Sequence, residues 1–582
     1  MLPTLALRRS PPLLISTAVA LAACEPVPGP RTPPVEAPAP ADAVDDAAIR
    51  LEYVCDNRFV IINAHARAVT VRYEVQGTEE RGERRLPPAT AGDPPFSEVQ
   101  FTVSSEGPVA LYESDSLLVV RPNDQDPCEP AVGGPALAVA ATSAAGQWSA
   151  PFGWPIVALH VSLLHNGKVL SWGKYGAPYL WNPASGGFTA LSNPYWLFCA
   201  GHSLLPDGRV LAAGGHISDD HGLPDAAAYN PASGTWTKLP SMKFGRWYPT
   251  NTTLANGEVL VIAGRNQSGN HVTTAEVWTG TKWRQLTSAK LRLPYYPRTW
   301  AAPNGKVFYA GEQKVTRYLS TAGTGAWDTV GFRKFGVRDY GSAVMYLPGR
   351  ILYTGGGRTT RTAEIIDLNK AAPAWQYTGS MAYPRRHHNA TVLPTGEVLV
   401  TGGTRGTTFN EVSLAVRVAE IWNPTTGAWT QLASNAVNRT YHSASLLMPD
   451  GRVLHTGSGD AVNDGVAAPD QKTAEYFSPP YLFKGTRPGI SAEPSSAAYG
   501  ETFTVGTPDA SAIAKVSLIA LGSVTHAMDQ GQRFMWLGFT RVAGGLRVTA
   551  PANRNLAPPG WYMLFVLNGS DVPSVAKMIR LQ

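Results

Sequence analysis

The sequence predicts an all-β chain built around a seven-bladed β-propeller, with a small β domain before it and an immunoglobulin-like β-sandwich after it. Three observations predict this. Turn formers and aromatics are abundant (57 Gly, 48 Pro, 16 Trp and 22 Tyr in 582 residues), while only 16 % of residues are charged. That balance suits short strands joined by turns and excludes a coiled coil, a helical bundle or a largely disordered chain. A glycine turn leading into an apolar strand recurs seven times, and from about residue 487 a different, shorter alternation replaces it.

At the N-terminus, Arg8 and Arg9 precede an apolar run from Leu13 to Ala23 that is too short to span a bilayer. A basic flank, a short apolar stretch and small residues before the cut predict a secretory signal over 1–23. The ending Leu21-Ala22-Ala23-Cys24 resembles a bacterial lipobox. It implies that Cys24 is lipidated and that the exported protein is a lipoprotein anchored to a membrane, facing the periplasm or the cell surface. An ordinary cleaved signal with a chance cysteine is the alternative. Residues 24–48, rich in Pro and Ala, read as a stiff tether.

Residues 49–131 read as a small β domain, with strand-like runs such as Phe59-Val60-Ile61-Ile62 and Val69-Thr70-Val71-Arg72-Tyr73. In an oxidising compartment, Cys55 and Cys128, which bracket it, are expected to form a disulfide, against the alternative of two separate thiols. A Gly/Ala/Ser-rich linker covers 132–147. The formal charge of +6 is spread without Lys/Arg runs, which excludes a nucleic-acid binder. A monomer is expected.

The propeller is placed at 148–478. Its turn signals are Asn166-Gly167, Asp207-Gly208, Asn256-Gly257, Asn304-Gly305, Pro348-Gly349, Thr395-Gly396 and Asp450-Gly451, with glycines about 41 to 55 residues apart, in the range of propeller-blade repeats. Asn-Gly and Asp-Gly predict tight hairpins with φ > 0 at both central positions. A second signal, Trp181-Asn182-Pro183, Tyr229-Asn230-Pro231 and Trp422-Asn423-Pro424, predicts strands that carry aromatics into the packing between blades. The pattern is kelch-like. Over 487–582, short alternating strands such as Phe503-Thr504-Val505 lead to Trp561-Tyr562-Met563-Leu564-Phe565-Val566, a separate sandwich.

Pairing Cys55 with Cys128 leaves Cys199 to be explained. It sits in Trp196-Leu197-Phe198-Cys199-Ala200-Gly201-His202, one blade before Gly245-Arg246-Trp247-Tyr248-Pro249. Arg439-Thr440-Tyr441-His442-Ser443 lies near the last blade, and Gly522-Ser523-Val524-Thr525-His526-Ala527 on a loop of the C-terminal sandwich. In these motifs, over about 148–582, the chain resembles the copper radical oxidases, which include galactose oxidase and glyoxal oxidase. The resemblance implies a Cu(II) site whose ligands are Tyr248, Tyr441, His442 and His526, with Cys199 joined to the Tyr248 ring by a self-generated thioether. It also implies that the crosslinked tyrosine carries a radical. Arg246-Trp247-Tyr248-Pro249 is more similar to glyoxal oxidase than to galactose oxidase.

Those residue types suit the chemistry. Two imidazoles and phenolate oxygen form an N/O donor set that favours Cu(II). Copper moves one electron, whereas taking an alcohol to an aldehyde removes two, and the resemblance assigns the second to the tyrosyl radical. The expected reaction converts a primary alcohol or small aldehyde and O2 to the next oxidation level and H2O2. Oxidation of a glycan end is an alternative, and a non-enzymatic kelch propeller binding glycan or protein is an alternative of another class. Trp247 is a candidate shield over the radical, the other reading being inter-blade packing. His387 and His388 read as a solvated loop pair, the alternative being that they line the mouth of the site or bind substrate, and Asp219 and Asp220 read as loop carboxylates.

Overall fold

The computed structural model describes residues 49–55, 57–63, 65, 67–88, 97–105, 107–121, 142–460, 462–463, 466–467 and 469–582. Cys24 and Cys128 lie outside the described residues, as do the expected signal and tether; Cys55 closes the strand Ile49–Cys55. Among the described residues the helical pieces are the short turns Thr142–Ala145, Val412–Leu414 and Pro480–Phe483, so the chain is all-β as expected. The first of these turns falls in the stretch read as linker.

Residues 49–121 form a three-stranded and a four-stranded antiparallel sheet. The strand Val69–Val75 alternates buried and open positions, and its inward side chains Val71 and Tyr73 join Leu51, Phe59, Ile61 and Leu111 in one core. Alternation of this kind is what a sheet with one wet face requires.

Seven sheets follow in ring order. Six begin with an inner strand and run outward in chain order, the hairpin His216–Ser218/His221–Gly222 being inserted in the second: His160–Leu163, Gly201–Leu204, Thr250–Thr253, Thr299–Ala301, Ser342–Leu347 and Arg386–Val392 open blades 1 to 6. Blade 7 starts with Ser443–Leu447, but its outer strand is Gln147–Trp148, which pairs with Thr473–Ser478. The chain preceding blade 1 thus completes blade 7, which ties the ring shut and leaves short, protected edges.

The blade hairpins differ from the expected turn. Only the glycine adopts φ > 0, from +73° to +90° across the seven. The residue before it stays right-handed, and its side chain caps the turn: Asn166, Asp207, Asn256, Asn304 and Asp450 each accept a hydrogen bond from the backbone N–H two residues on, at 2.9 to 3.2 Å. Gly167 N–H also donates to Leu164 O. This is a type I turn completed by a left-handed glycine, so Asn and Asp are selected here for their side-chain acceptor.

The second sequence signal behaves as expected. Trp181, Tyr229 and Trp422 are buried, and Asn182, Asn230 and Asn423 accept backbone N–H groups two residues on. At the C-terminus a five-stranded and a three-stranded sheet enclose a core that includes Val505, Leu518, Leu546, Leu564 and Val566.

Candidate metal centre

Nine residues before each turn glycine lie Ala158, Cys199, Tyr248, Tyr296, Tyr340, His387 and His442. These are equivalent positions at the mouth of each inner strand. All but Ala158 adopt φ > 0, between +43° and +66°, a conformation that costs a non-glycine residue about 1–3 kcal/mol. A left-handed residue breaks the alternation of a strand and turns its side chain onto the face its predecessor occupies. Buried ion pairs hold this arrangement in four blades: Arg246–Glu276, Arg338–Glu364, Arg385–Glu420 and Arg439–Glu475. Each arginine also donates to a backbone carbonyl at the end of its blade's second strand, such as Ala263 O and Gly457 O, both at 2.8 Å.

The remaining donor comes from the C-terminal part of the chain. Ser523–Thr525 pairs with the inner strand of blade 1 and forms a hairpin with Met528–Asp529. Its two-residue turn is His526-Ala527, with φ of +47° and +62°, the pattern of a tight primed turn. His526 therefore stands at a hairpin tip inside the ring. Ser162 Oγ meets Ser523 Oγ, Asn251 N–H donates to Gln530 Oε1, Ser342 Oγ donates to Ala527 O and Val392 N–H donates to Gln532 Oε1. Blades 1, 3, 5 and 6 thus fix the hairpin from several sides.

Tyr248, Tyr441, His442 and His526 converge, all buried. The phenol oxygens of Tyr248 and Tyr441 are hydrogen-bonded to each other, and His526 Nε2 lies 3.2 Å from Tyr248 Oη. The two imidazole centroids are 4.8 Å apart. His442 Nδ1–H donates to Gly459 O at 2.7 Å, which leaves the lone pair on Nε2, and that buried atom has no hydrogen-bond partner among the described residues. His526 Nδ1 is held by Thr525 Oγ1 at 2.6 Å. Fixing Nδ1 from outside and aiming Nε2 inward is how a metal-binding imidazole is prepared. Burial lowers the His442 pKa to about 3 and that of His526 well below its ordinary value, so both rings are neutral donors. Two neutral imidazoles and two phenol oxygens fit Cu(II).

Comparison with known proteins points the same way. The family profile "Galactose oxidase-like, Early set domain" matches residues 487–581, "Glyoxal oxidase N-terminus" matches 352–481 and "Kelch motif" matches 203–243. A galactose oxidase of Gibberella zeae is 30 % identical over 489 residues, 75 % of this chain and 70 % of that one. An aldehyde oxidase of Vitis pseudoreticulata is 28 % identical over 66 % of this chain and 82 % of its own. A solved fungal alcohol oxidase of the AA5 family, in complex with copper, superposes with a TM-score of 0.68 at 27 % identity, covering 75 % of this chain and all of that one. The chain belongs to the copper radical oxidases.

Within that family frame, the other expected residues can be placed. Cys199 shares a buried cluster with Leu159, Phe198, Trp247, Tyr248 and Tyr296, and its carbonyl accepts the Tyr248 N–H at 3.0 Å. Trp247 lies flat on Tyr248, with centroids 3.9 Å apart and planes 9° from parallel. Its Nε1–H donates to His216 Nδ1 at 3.0 Å. The packing that puts it there is close: a Cβ on Gly222 would come within 2.1 Å of the Trp247 nitrogen.

Tyr296, Tyr340 and Phe409 were missed from sequence, and His387 was placed in a loop. Tyr296 stacks on His526 at 4.6 Å and 27°. Tyr340 and His387 stand edge-on to Tyr441, at 5.8 and 5.0 Å, and Phe409 joins them at 4.9 Å. The count back from each turn glycine would have found Tyr296 and Tyr340 and placed His387 beside them. The reading of His387 and His388 as solvated is corrected: both are buried, because they lie in the inner strand Arg386–Val392 rather than in a loop. His387 Nε2 donates to Phe409 O, and His388 Nε2 pairs with Thr354 Oγ1 at 2.9 Å. Asp220 forms an ion pair with Arg265 at 3.0 Å and accepts the Tyr295 hydroxyl, so it braces the mouth of the site.

Proposed function

We propose that this copper radical oxidase converts a small primary alcohol or aldehyde to the next oxidation level. His442 and His526 through Nε2, and Tyr248 and Tyr441 through their phenol oxygens, would hold the metal. Copper(II) bound there supplies a one-electron acceptor and a Lewis acid. Tyr441 Oη receives the substrate hydroxyl proton as general base. The Tyr248 ring, joined to Cys199 by a thioether, carries the radical and takes a hydrogen atom from the carbon bearing that hydroxyl. Each turnover removes two electrons and two protons from the substrate, and dioxygen leaves with them as hydrogen peroxide.

Small size of substrate is supported by the crowding of the site. Tyr340, His387 and Phe409 ring Tyr441, and Trp247 covers Tyr248. A glyoxal-oxidase-like reading follows; oxidation of glycan ends is the second reading, supported by the galactose oxidase likeness alone. Peroxide release from copper-loaded protein decides between them. Turnover of small aldehydes and their hydrates, with none of galactose, supports the first; turnover of galactose-terminated oligosaccharides alone supports the second.

The sequence supports export with a lipid anchor at Cys24 and a Cys55–Cys128 disulfide. Detergent-dependent extraction from membranes, lost in Cys24→Ala, tests the anchor.

A further inference from the structure

From Tyr248 a line of ring contacts runs to the protein surface. Trp247 lies on Tyr248 at 3.9 Å, its indole N–H donates to His216 Nδ1 at 3.0 Å, and His216 meets the ring of Trp196 edge-on at 4.5 Å and 71°. Tyr248, Trp247 and His216 are buried, whereas Trp196 is 42 % exposed. Trp196 is also fixed in place, its Nε1–H donating to Lys174 O at 2.7 Å.

We propose that Trp247, His216 and Trp196 form an electron relay, and that Trp196 is the surface site at which a one-electron oxidant generates the radical on Tyr248. The inference rests on the radical chemistry proposed above. An oxidation that removes electrons from substrate in pairs is stalled by a stray single electron on the tyrosine, and only a one-electron exchange restores it. Because Tyr248 is buried, that exchange must pass through the protein.

The step balances. The oxidant, a ferric complex, gains one electron and becomes ferrous; the Tyr248 phenolate, thioether-linked to Cys199, loses one. No bond is made or broken overall. While the electron hole rests on Trp247 the indole N–H becomes acidic, its proton moves to His216 Nδ1, and it returns when the hole passes to Tyr248. Burial lowers the His216 pKa to about 4, so the imidazole is neutral and free to accept. Its Nε2 faces Asp219 Oδ1 at 3.8 Å, which favours the imidazolium while it exists.

The test uses full-length copper-loaded protein, without substrate or oxygen, mixed rapidly with ferricyanide while tyrosyl-radical absorbance is followed. Intact mass confirms the crosslink in every variant. In Trp196→Phe the radical is expected to form roughly tenfold more slowly, the equivalent of about 1.4 kcal/mol of barrier, and to reach the same final yield. Trp196→Tyr, which keeps a redox-active ring, retains most of the rate. Tyr377→Phe, exposed but off the line, behaves as wild type. An unchanged rate in Trp196→Phe, or an equal loss in Tyr377→Phe, overturns the relay. A wild-type protein that is crosslink-free and forms no radical fails at the earlier step, the radical oxidase reading itself.

Discussion

Trp247 and Tyr248 are neighbours in the chain, yet their rings lie face to face, 3.9 Å apart and 9° from parallel. In an extended strand, consecutive side chains point to opposite faces. The left-handed backbone of Tyr248, φ +63°, removes that alternation and folds the phenol back under the indole. A stacked aromatic pair contributes about 0.5–1.5 kcal/mol beyond its burial, and here it also covers one face of the ring assigned to the radical. Trp247→Leu is expected to keep copper binding but shorten the radical's half-life, measured as the decay of its absorbance once oxidant is removed.

The blade ion pairs make a stability prediction. Arg439 and Glu475 are both buried, 3.1 Å apart, and Arg439 precedes Tyr441 and His442 in the chain. Deleting one partner leaves the other charge unpaired in the interior, which costs about 3–5 kcal/mol. Arg439→Ala is expected to lower the thermal midpoint of the apoprotein sharply. Arg209→Ala, which removes an exposed pair with Asp207, should change it little.

Acid should destabilise the metal-free protein. Burial lowers His202 to about 3, His216 to about 4 and His442 to about 3, each from an ordinary value of about 6.5. These groups stay neutral in the fold and bind protons on unfolding, so their contribution is fully present above about pH 6.5 and is lost as pH falls toward 4. Near pH 5 the three together take up about three protons on unfolding, a slope of roughly 4 kcal/mol per pH unit. Denaturant unfolding of apoprotein at pH 7, 6 and 5 measures it. A flat profile would contradict the burial of these rings.

Much of the fold was legible because the blade turns carry a local chemical signature: glycine for the left-handed position and Asn or Asp for the side-chain cap. Of the four metal-facing residues, Tyr441 and His526 were legible only through resemblance, whereas Tyr248 and His442 also stand at a fixed distance from a turn glycine. Tyr296, Tyr340 and His387 could have been read from their fixed distance to the turn glycines. The closure of blade 7 by Gln147–Trp148 was hidden, because a two-residue strand whose partner lies far along the chain leaves no periodic pattern. The burial of His388 was hidden for a similar reason: nothing near Arg385-Arg386-His387-His388 shows that an inner strand already begins there.

Equivalent positions in adjacent blades bring Cys199 and Tyr248 into one buried cluster, where copper and air are expected to join them. The most direct test is the intact mass and denaturing mobility of purified protein before and after Cu(II) under oxygen. Loss of two hydrogen atoms together with a mobility shift, both absent in Cys199→Ser and in Tyr248→Phe, is the predicted result. A wild-type mass and mobility unchanged by copper would contradict it.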